Sequence, residues 1–474
     1  MNGANELVVR VDLPLPRTLP AGRATAILCL GACFHPRERV ASLELLVDGR
    51  PYAPDAWRMP RLDLYRALPP EQANSYRGGF WAVLPIERRE RTGSIEVQVA
   101  ATLASGVRLV APFGAIDVEP APEAASGERI AICMATFEPD MELFRGQLDS
   151  LRAQSDERWT CVISDDASTP SSFDQIAAAV AGDERFVLSR SHARLGPYRN
   201  FERALALAPR DAGLVALCDQ DDRWHPDKLA TLRAALGEAR LVYSDQRIVD
   251  RDGSVLRESL WAGRRNEHSN IASVLVANTI TGAASLFRRE VAELAMPFPE
   301  APGLLLHDHW LALVALATGD VAYVNRPLYD YVQHGGSVTG QGAAPDAAGH
   351  SRGWRAAYFY GYLPRRVQAV TLLARCDHLL SARKRRALRW FAAADRGRAA
   401  LAWLLARPLR RLAGRGETLG TESELARGIL WRHLVRVRAG SRERPGRSSY
   451  DASCPPLDAS ALGGKRLGRW RAGA

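Results

Sequence analysis

Nowhere in its 474 residues does this chain carry the roughly 18 uninterrupted apolar residues that a membrane-spanning helix needs. The most apolar piece of its last quarter, Ala399 to Ala406, is far shorter. The opening MNGANELVVRVD lacks a charged segment followed by an apolar one, so no secretory leader is expected. Cysteine is sparse and irregular. Cys29, Cys33, Cys133, Cys161, Cys218, Cys376 and Cys454 are odd in number, scattered, and include no CxxC pair. That pattern argues against a disulfide framework and a zinc site. Several of the seven sit inside apolar runs, where cysteine acts as a small hydrophobe. A reducing, cytoplasmic setting is expected.

Core material is ample and charge is uneven. Hydrophobic residues make up 47% of the chain, which suits two or three domains rather than wholesale disorder. Residues 351–474 hold 27 Lys/Arg against 8 Asp/Glu, so of the net +10 they carry +19 and residues 1–350 carry −9. Two basic runs, Arg383-Lys384-Arg385-Arg386 and Arg407 to Arg411, flank pieces containing Trp390, Phe391, Trp403, Leu404 and Leu405. Further on, Leu425, Ile429, Leu430, Leu434 and Val437 recur at helical spacing among Arg427, Arg432, Arg436 and Arg438. Basic amphipathic helices bearing Trp predict a peripheral contact with the inner face of an anionic membrane. The alternative is a packed helical extension with a solvated Arg face. No recognition module accompanies the charge, so no nucleic acid is expected as a partner.

Four regions follow from the pattern. Residues 1–117 alternate in short runs, Glu6–Val11, Ala24–Leu30, Ala41–Val47, Gly79–Ile86 and Ser94–Ala101, with a hairpin signal at Asp48-Gly49. They predict a β-sandwich, read as a binding or spacer module. Residues 118–128, VEPAPEAASGE, read as a linker. Residues 129–345 alternate strands with helix-period segments, the mark of βαβ units and a mostly parallel sheet. Residues 350–440 read as basic amphipathic helices, and 441–474, rich in Ser, Pro, Gly and Arg, as a disordered tail.

In parallel sheets ligands gather at the carboxyl ends of the strands. Three strands here end in polar clusters: Ala135-Thr136-Phe137-Glu138, Ser164-Asp165-Asp166-Ala167-Ser168-Thr169 and Cys218-Asp219-Gln220-Asp221-Asp222. Six acids at neighbouring strand ends repel one another and call for a cation. Oxygen ligands suit Mg²⁺ or Mn²⁺ shared with substrate phosphates. One DD after a strand is ordinary turn chemistry; two acidic clusters at adjacent strand ends are less easily explained that way.

The string VALCDQDDRWHPDKL resembles the DxD segment of inverting family 2 glycosyltransferases, in particular their rhamnosyltransferase-like branch. The likeness runs over about residues 129–340 through IAICMATFEPDMELFRGQLDSLRAQ, RLGPYRNFERAL, LVYSDQRIVDRDG, NTITGAASLF and the segment from LLLHDHW to QHGGSVTG. It implies an α/β GT-A (nucleotide-diphospho-sugar transferase) domain between the N-terminal β-sandwich and the C-terminal basic helical region. It implies that Thr136, Phe137 and Glu138, with Asp165 or Asp166, line the nucleotide pocket together with Arg199, and that Asp219 meets the ribose. Asp221 and His334 are implied metal ligands for Mg²⁺ or Mn²⁺, and Asp308 in HDHW the general base. Trp224, His309 and Trp310 fall on the acceptor side. Phe137 replaces the usual Tyr, His309 an aromatic residue, and Tyr331 an Arg.

The chemistry asks for these residue types. A sugar hydroxyl is a poor nucleophile and needs a carboxylate to take its proton. A departing nucleotide diphosphate gains negative charge that a divalent cation offsets. The expected activity is inverting transfer of a sugar, with rhamnose on dTDP as the branch's leaning, to a glycan or lipid-linked glycan of the cell envelope. Two rivals stand beside it. A nucleotidyltransferase would carry a Gly-rich basic loop after the first strand, unlike ATFEPD. A non-catalytic carbohydrate-binding or scaffold protein would not need Asp219, Asp221 and Asp308 together. His307 is read as capping the helix of Asp308, and His225 and His268 as surface residues.

Overall fold

The computed structural model describes residues 7–122, 127–264, 266–303, 305–334, 353–407, 409 and 419–441. Most of the tail expected to be disordered, from 442 onward, lies outside them. Nine strands fill the first region: β1 (Val8–Val11), β2 (Thr18–Pro20), β3 (Thr25–Phe34), β4 (Val40–Val47), β5 (Arg50–Tyr52), β6 (Ala56–Met59), β7 (Gly79–Ile86), β8 (Gly93–Leu103) and β9 (Arg108–Glu119). They form two sheets, β1-β3-β7-β6 and β2-β9-β8-β4-β5. Cys29, Phe80 and Leu84 of one meet Leu45, Val97 and Ile116 of the other in a shared core. Asp48 and Gly49 both take positive φ, 46° and 80°, as a two-residue turn between β4 and β5 requires. The strand β9 escapes the alternation rule because Pro112 sits beside a bulge, where the register with β8 shifts between Val97 and Gln98.

All ten residues of β3 are buried. A strand with one wet face would alternate, so both faces are covered. Cys29 points into the shared core, while Leu28 and Leu30, with Trp81 of β7, join the core of the rest of the molecule.

The central sheet begins with β10 (Ile130–Thr136), β11 (Trp159–Asp165), β12 (Phe186–Arg190) and β13 (Leu214–Cys218), parallel in the order β12-β11-β10-β13. It continues through β14 (Arg223–Trp224), β15 (Leu241–Asp250), β16 (Val255–Arg257), β17 (Ser285–Arg288) and β18 (Val321–Gln333). The strand β17 runs antiparallel between β13 and β15, and β15 pairs in parallel with β18. Three helices follow the parallel strands with their own start signals. Asp140 caps the helix Met141–Arg152, Thr169 and Pro170 open the helix Pro170–Val180, and Gly196-Pro197 opens the helix Pro197–Ala206. The first buries Phe144, Leu148 and Leu151 at helical spacing. Every parallel strand thus delivers its carboxyl end to one edge of the sheet.

The C-terminal helices are largely structural. The helix Leu363–Arg375 lies against β3 and the helix 289–295 region: Arg375 donates to Leu294 O, Ala295 O and Pro297 O and to Thr25 Oγ1. Arg366 forks onto both oxygens of Asp55 at 3.2 Å, and Arg432 donates to Asp55 O. Arg407 pairs with Glu422 and Ser273. Of the arginines expected to face a membrane, Arg407 and Arg432 are buried, as are Arg366 and Arg375 and the apolar Phe391, Leu404, Leu425 and Ile429. The packed extension is therefore the right reading for that part of the tail. Among the described residues no helix is long and apolar enough to cross a membrane.

Candidate active site

The nucleotide side begins where β10 and β11 end side by side, Thr136 opposite Asp165. Thr136 Oγ1 donates to Asp165 at 3.3 Å, and Ser168 returns onto the same carboxylate through Oγ at 2.6 Å and N at 3.0 Å. Asp166 accepts from Leu195 N at 2.6 Å, Gly196 N at 2.9 Å and Arg194 Nε at 2.9 Å. Glu138 and Ala167 hold φ at 41° and 58°, a left-handed backbone that costs a non-glycine residue about 1 kcal/mol or more. Cross-loop bonds hold them there: Glu138 N donates to Ser168 Oγ at 3.0 Å, and Thr169 N donates to the Glu138 carboxylate. Phe137 is 38% exposed, with the Arg194 guanidinium over its ring.

Two residues overlooked in the sequence hold these loops. Asn200 is buried and donates to Ser164 O at 2.8 Å and Thr136 O at 3.3 Å while accepting from Ser164 Oγ. It ties its helix to both strand ends. Gln220, the middle residue of the DxD, accepts from Phe137 N at 2.9 Å and donates to Phe137 O. An amide between two carboxylates could have been suspected of bridging, because it alone there offers both a donor and an acceptor.

At the end of β13 the acids are not neutralised. Six mutually repelling acids were expected; Asp165 and Asp166 instead meet Arg190 and Arg194, and Glu138 meets Thr169. The repulsion is left to Asp219, Asp221 and Asp222, with Asp308 close by. Burial and the nearby Asp221 and Asp308 push the Asp219 carboxyl up to about 7. Burial also drives Asp222 well above the carboxylate range, and its buried Oδ2 has no partner among the described residues. Asp221 Oδ2 lies 2.7 Å from His334 Nε2. Among the described residues no group of three or more His, Cys, Asp or Glu is arranged as a ready-made metal cage. One carboxylate, one imidazole and a surplus of negative charge nonetheless fit a divalent cation whose other ligands are substrate phosphates and water.

Behind this cluster lies Lys228, fully buried, its ammonium 3.3 Å from the Trp224 ring centroid and 4.7 Å from that of Tyr329. It donates to Ala283 O. Burial presses it down to about 7, opposed by Cys218, Asp222 and Asp219. Ala283 belongs to the turn Gly282–Ala284, which abuts Asp308. A Cβ on Gly282 would stand 3.1 Å from Asp308 Cβ and 3.1 Å from His307 Nε2. Lys228 thereby joins the DxD side to the Asp308 side. Lys228→Met keeps the volume but orphans the Ala283 carbonyl and removes the cation beside Asp222. Each buried polar group so stranded costs about 1–3 kcal/mol. A clear drop in the urea midpoint is expected; an unchanged midpoint would show that the ammonium contributes nothing net.

Asp308 opens the helix His307–Thr318. Its carboxylate accepts from His309 N at 2.6 Å and more weakly from Gly282 N at 3.4 Å. Burial outweighs these bonds and pushes it up to about 6. Its charge is felt at Asp219, so Asp308 and the DxD segment lie close together.

Residues 132–294 match glycosyl transferase family 2. The match falls on the central mixed α/β sheet, from β10 through β17. The match ends before Asp308 and His334, whose placement rests on the geometry above. Among solved structures, S. aureus TarS 1-349 in complex with UDP-GlcNAc is similar at 15% identity, covering 67% of this chain and 93% of that one with a TM-score of 0.42. PcManGT, a mannosyltransferase from Pyrobaculum calidifontis in complex with GDP-Man and Mn²⁺, is similar at 19% identity, with 67% and 90% covered and a TM-score of 0.37. Neither TM-score is high enough to bear on the donor, metal or acceptor here. No curated protein matches the chain.

Four of the expected site residues are engaged elsewhere. Arg199 is engaged with Glu202 and Glu300, and Arg194 is the arginine that pairs with Asp166 just beyond β11. Trp310 is wholly buried, its Nε1 donating to Ala295 O at 2.9 Å. His309 is buried with Nε2 2.7 Å from Val274 O. Trp224 is buried under Lys228. None of these three side chains offers a face to an acceptor. His307 does not cap its helix; it stacks on Phe201 at 3.6 Å. His225 bonds Asp330, and His268 packs between Tyr243 and Tyr323, so neither is a plain surface residue.

Proposed function

We propose that this protein transfers a sugar from a nucleotide-diphosphate donor to an acceptor hydroxyl. The observation that carries the reading is the convergence of Thr136, Asp165, Asp219 and Asp221, within the residues that match family 2, with His334 and Asp308 on one edge of the sheet. Phe137 and Glu138 lie beside the base on loops that the buried Asp165 and Asp166 hold in place, Asp219 takes the ribose, and Asp221 with His334 a Mg²⁺ or Mn²⁺. That ion would supply positive charge for the departing diphosphate. An imidazole ligand favours Mn²⁺ of the two.

The reaction is a single displacement with inversion. The acceptor oxygen bonds the anomeric carbon as the bond from that carbon to the phosphate oxygen breaks. The hydroxyl proton passes to the Asp308 carboxylate, and the nucleoside diphosphate leaves. The donor is a hexose or deoxyhexose, with dTDP-linked rhamnose the first to try, and the acceptor a glycan or lipid-linked glycan. Measuring product formation over a panel of nucleotide sugars with and without Mn²⁺ tests this. Binding without turnover on any donor would favour a carbohydrate-binding scaffold, and nucleotide exchange into a sugar phosphate a nucleotidyltransferase.

The base must be unprotonated to act, and Asp308 is pushed up to about 6. The ratio kcat/KM is therefore expected to rise with pH through about 6 and level off above it. A profile flat from about pH 5 to about pH 8 would remove Asp308 from the proton transfer.

A further inference from the structure

We propose that the outer faces of two C-terminal helices form a docking surface for an anionic lipid bilayer. The inference is independent of the transfer reaction. The helix Ala382–Ala392 buries Leu388 and Phe391 and turns Arg383, Arg386, Arg389 and Trp390 outward. Those four share one side, at spacings of three, three and one. The next helix, Arg398–Ala406, buries Ala400 and Leu404 and exposes Ala402, Leu405 and, just beyond its end, Leu409 at helical spacing. Leu405 is 43% exposed and Leu409 63%. The solvent face of a surface helix is ordinarily polar, so this one is inverted. The rings of Trp390 and Trp403 meet at 6.2 Å and join the basic face to the apolar one.

Charge decides the occupant. Neither helix contains an Asp or Glu. Asp377 nearby takes Arg385 at 2.8 Å and Arg389 only at 3.9 Å, with Arg389 two-thirds exposed. Arg366, Arg375, Arg407 and Arg432, which hold the fold, are buried, so the arginines turned outward are a separate set. Exposed guanidinium groups joined through a Trp pair to exposed Leu side chains match lipid phosphates above acyl chains. The surface is too shallow to span and suited to lie in the interface.

The experiment is co-sedimentation of the full chain with phosphatidylcholine vesicles, alone and with about 30% phosphatidylglycerol, since each basic group near an anionic surface adds about a threefold to tenfold gain. Binding is expected with phosphatidylglycerol and to fade toward 1 M salt, where the Debye length falls to about 3 Å. The triple variant Arg383→Gln, Arg386→Gln, Arg389→Gln should weaken it about a hundred-fold. Leu405→Gln with Leu409→Gln should weaken it while leaving the salt response. All five positions are exposed, so melting curves should match the parent. Equal binding to neutral vesicles, no binding at low salt, or parental binding by both variants would overturn the proposal. So would a dimer in the absence of lipid that the leucine variant dissociates, because a second copy would then own the surface.

Discussion

Asp308→Asn is expected to lower kcat by about 10²–10⁴-fold, the usual contribution of a positioned general base. The substitution keeps the shape. Its amide oxygen can still accept the bond from His309 N, at 2.6 Å the shorter of the two amide contacts. Its NH₂ group would then face the weak contact from Gly282 N, so a small loss of stability accompanies the change. Donor affinity should be untouched, because the nucleotide side is built from β10, β11 and the end of β13. The pH limb near 6 should vanish with the carboxylate. If donor affinity fell and kcat held, Asp308 would belong to the donor site. Gly282→Ala offers a companion test. Its Cβ would meet Asp308 Cβ and His307 Nε2 at 3.1 Å, displacing the base without removing it, so kcat should fall while the pH limb shifts rather than disappears.

The strand ends were legible in the sequence because burial on both faces forces continuous apolar runs that stop abruptly at the ligand edge. Leu214–Cys218 is buried throughout, and polarity begins at Asp219. The two-residue turn at Asp48-Gly49 was equally visible, since few residues accept two positive φ values in succession. What the sequence concealed was which polar groups are already partnered. Asp165 and Asp166 look as exposed as Asp221, yet their oxygens are held by Ser168, Leu195 and Gly196 from loops far apart in the chain. His309 and Trp310 adjoin Asp308 in sequence, but a helix turns about 100° per residue. One step carries the ring from the site edge into the core. The basic tail misled for a related reason: charge counting cannot separate arginines that clamp carbonyls, such as Arg375, from those that face outward, such as Arg386.

Asp221→Ala is expected to abolish metal-stimulated turnover while leaving the fold intact. The residue is partly exposed, and its described contact is the 2.7 Å approach to His334. Little packing is lost with it. Removing its charge also relieves Asp219, which Asp221 helps to push up to about 7, so the thermal midpoint should hold or rise slightly. A cation at a leaving diphosphate contributes several kcal/mol, or roughly 10²–10³-fold in rate. His334→Ala removes a neutral ligand and keeps the anionic one, so a smaller loss is expected, partly restored by raising Mn²⁺. The parent protein in excess EDTA should match Asp221→Ala. Nucleoside diphosphate titrations separate the causes: Mn²⁺ should tighten binding to the parent and not to the variant, while metal-free affinities agree. If Asp221→Ala kept full metal-stimulated activity, or if the parent were indifferent to EDTA, the surplus negative charge at the end of β13 would serve some purpose other than holding a cation.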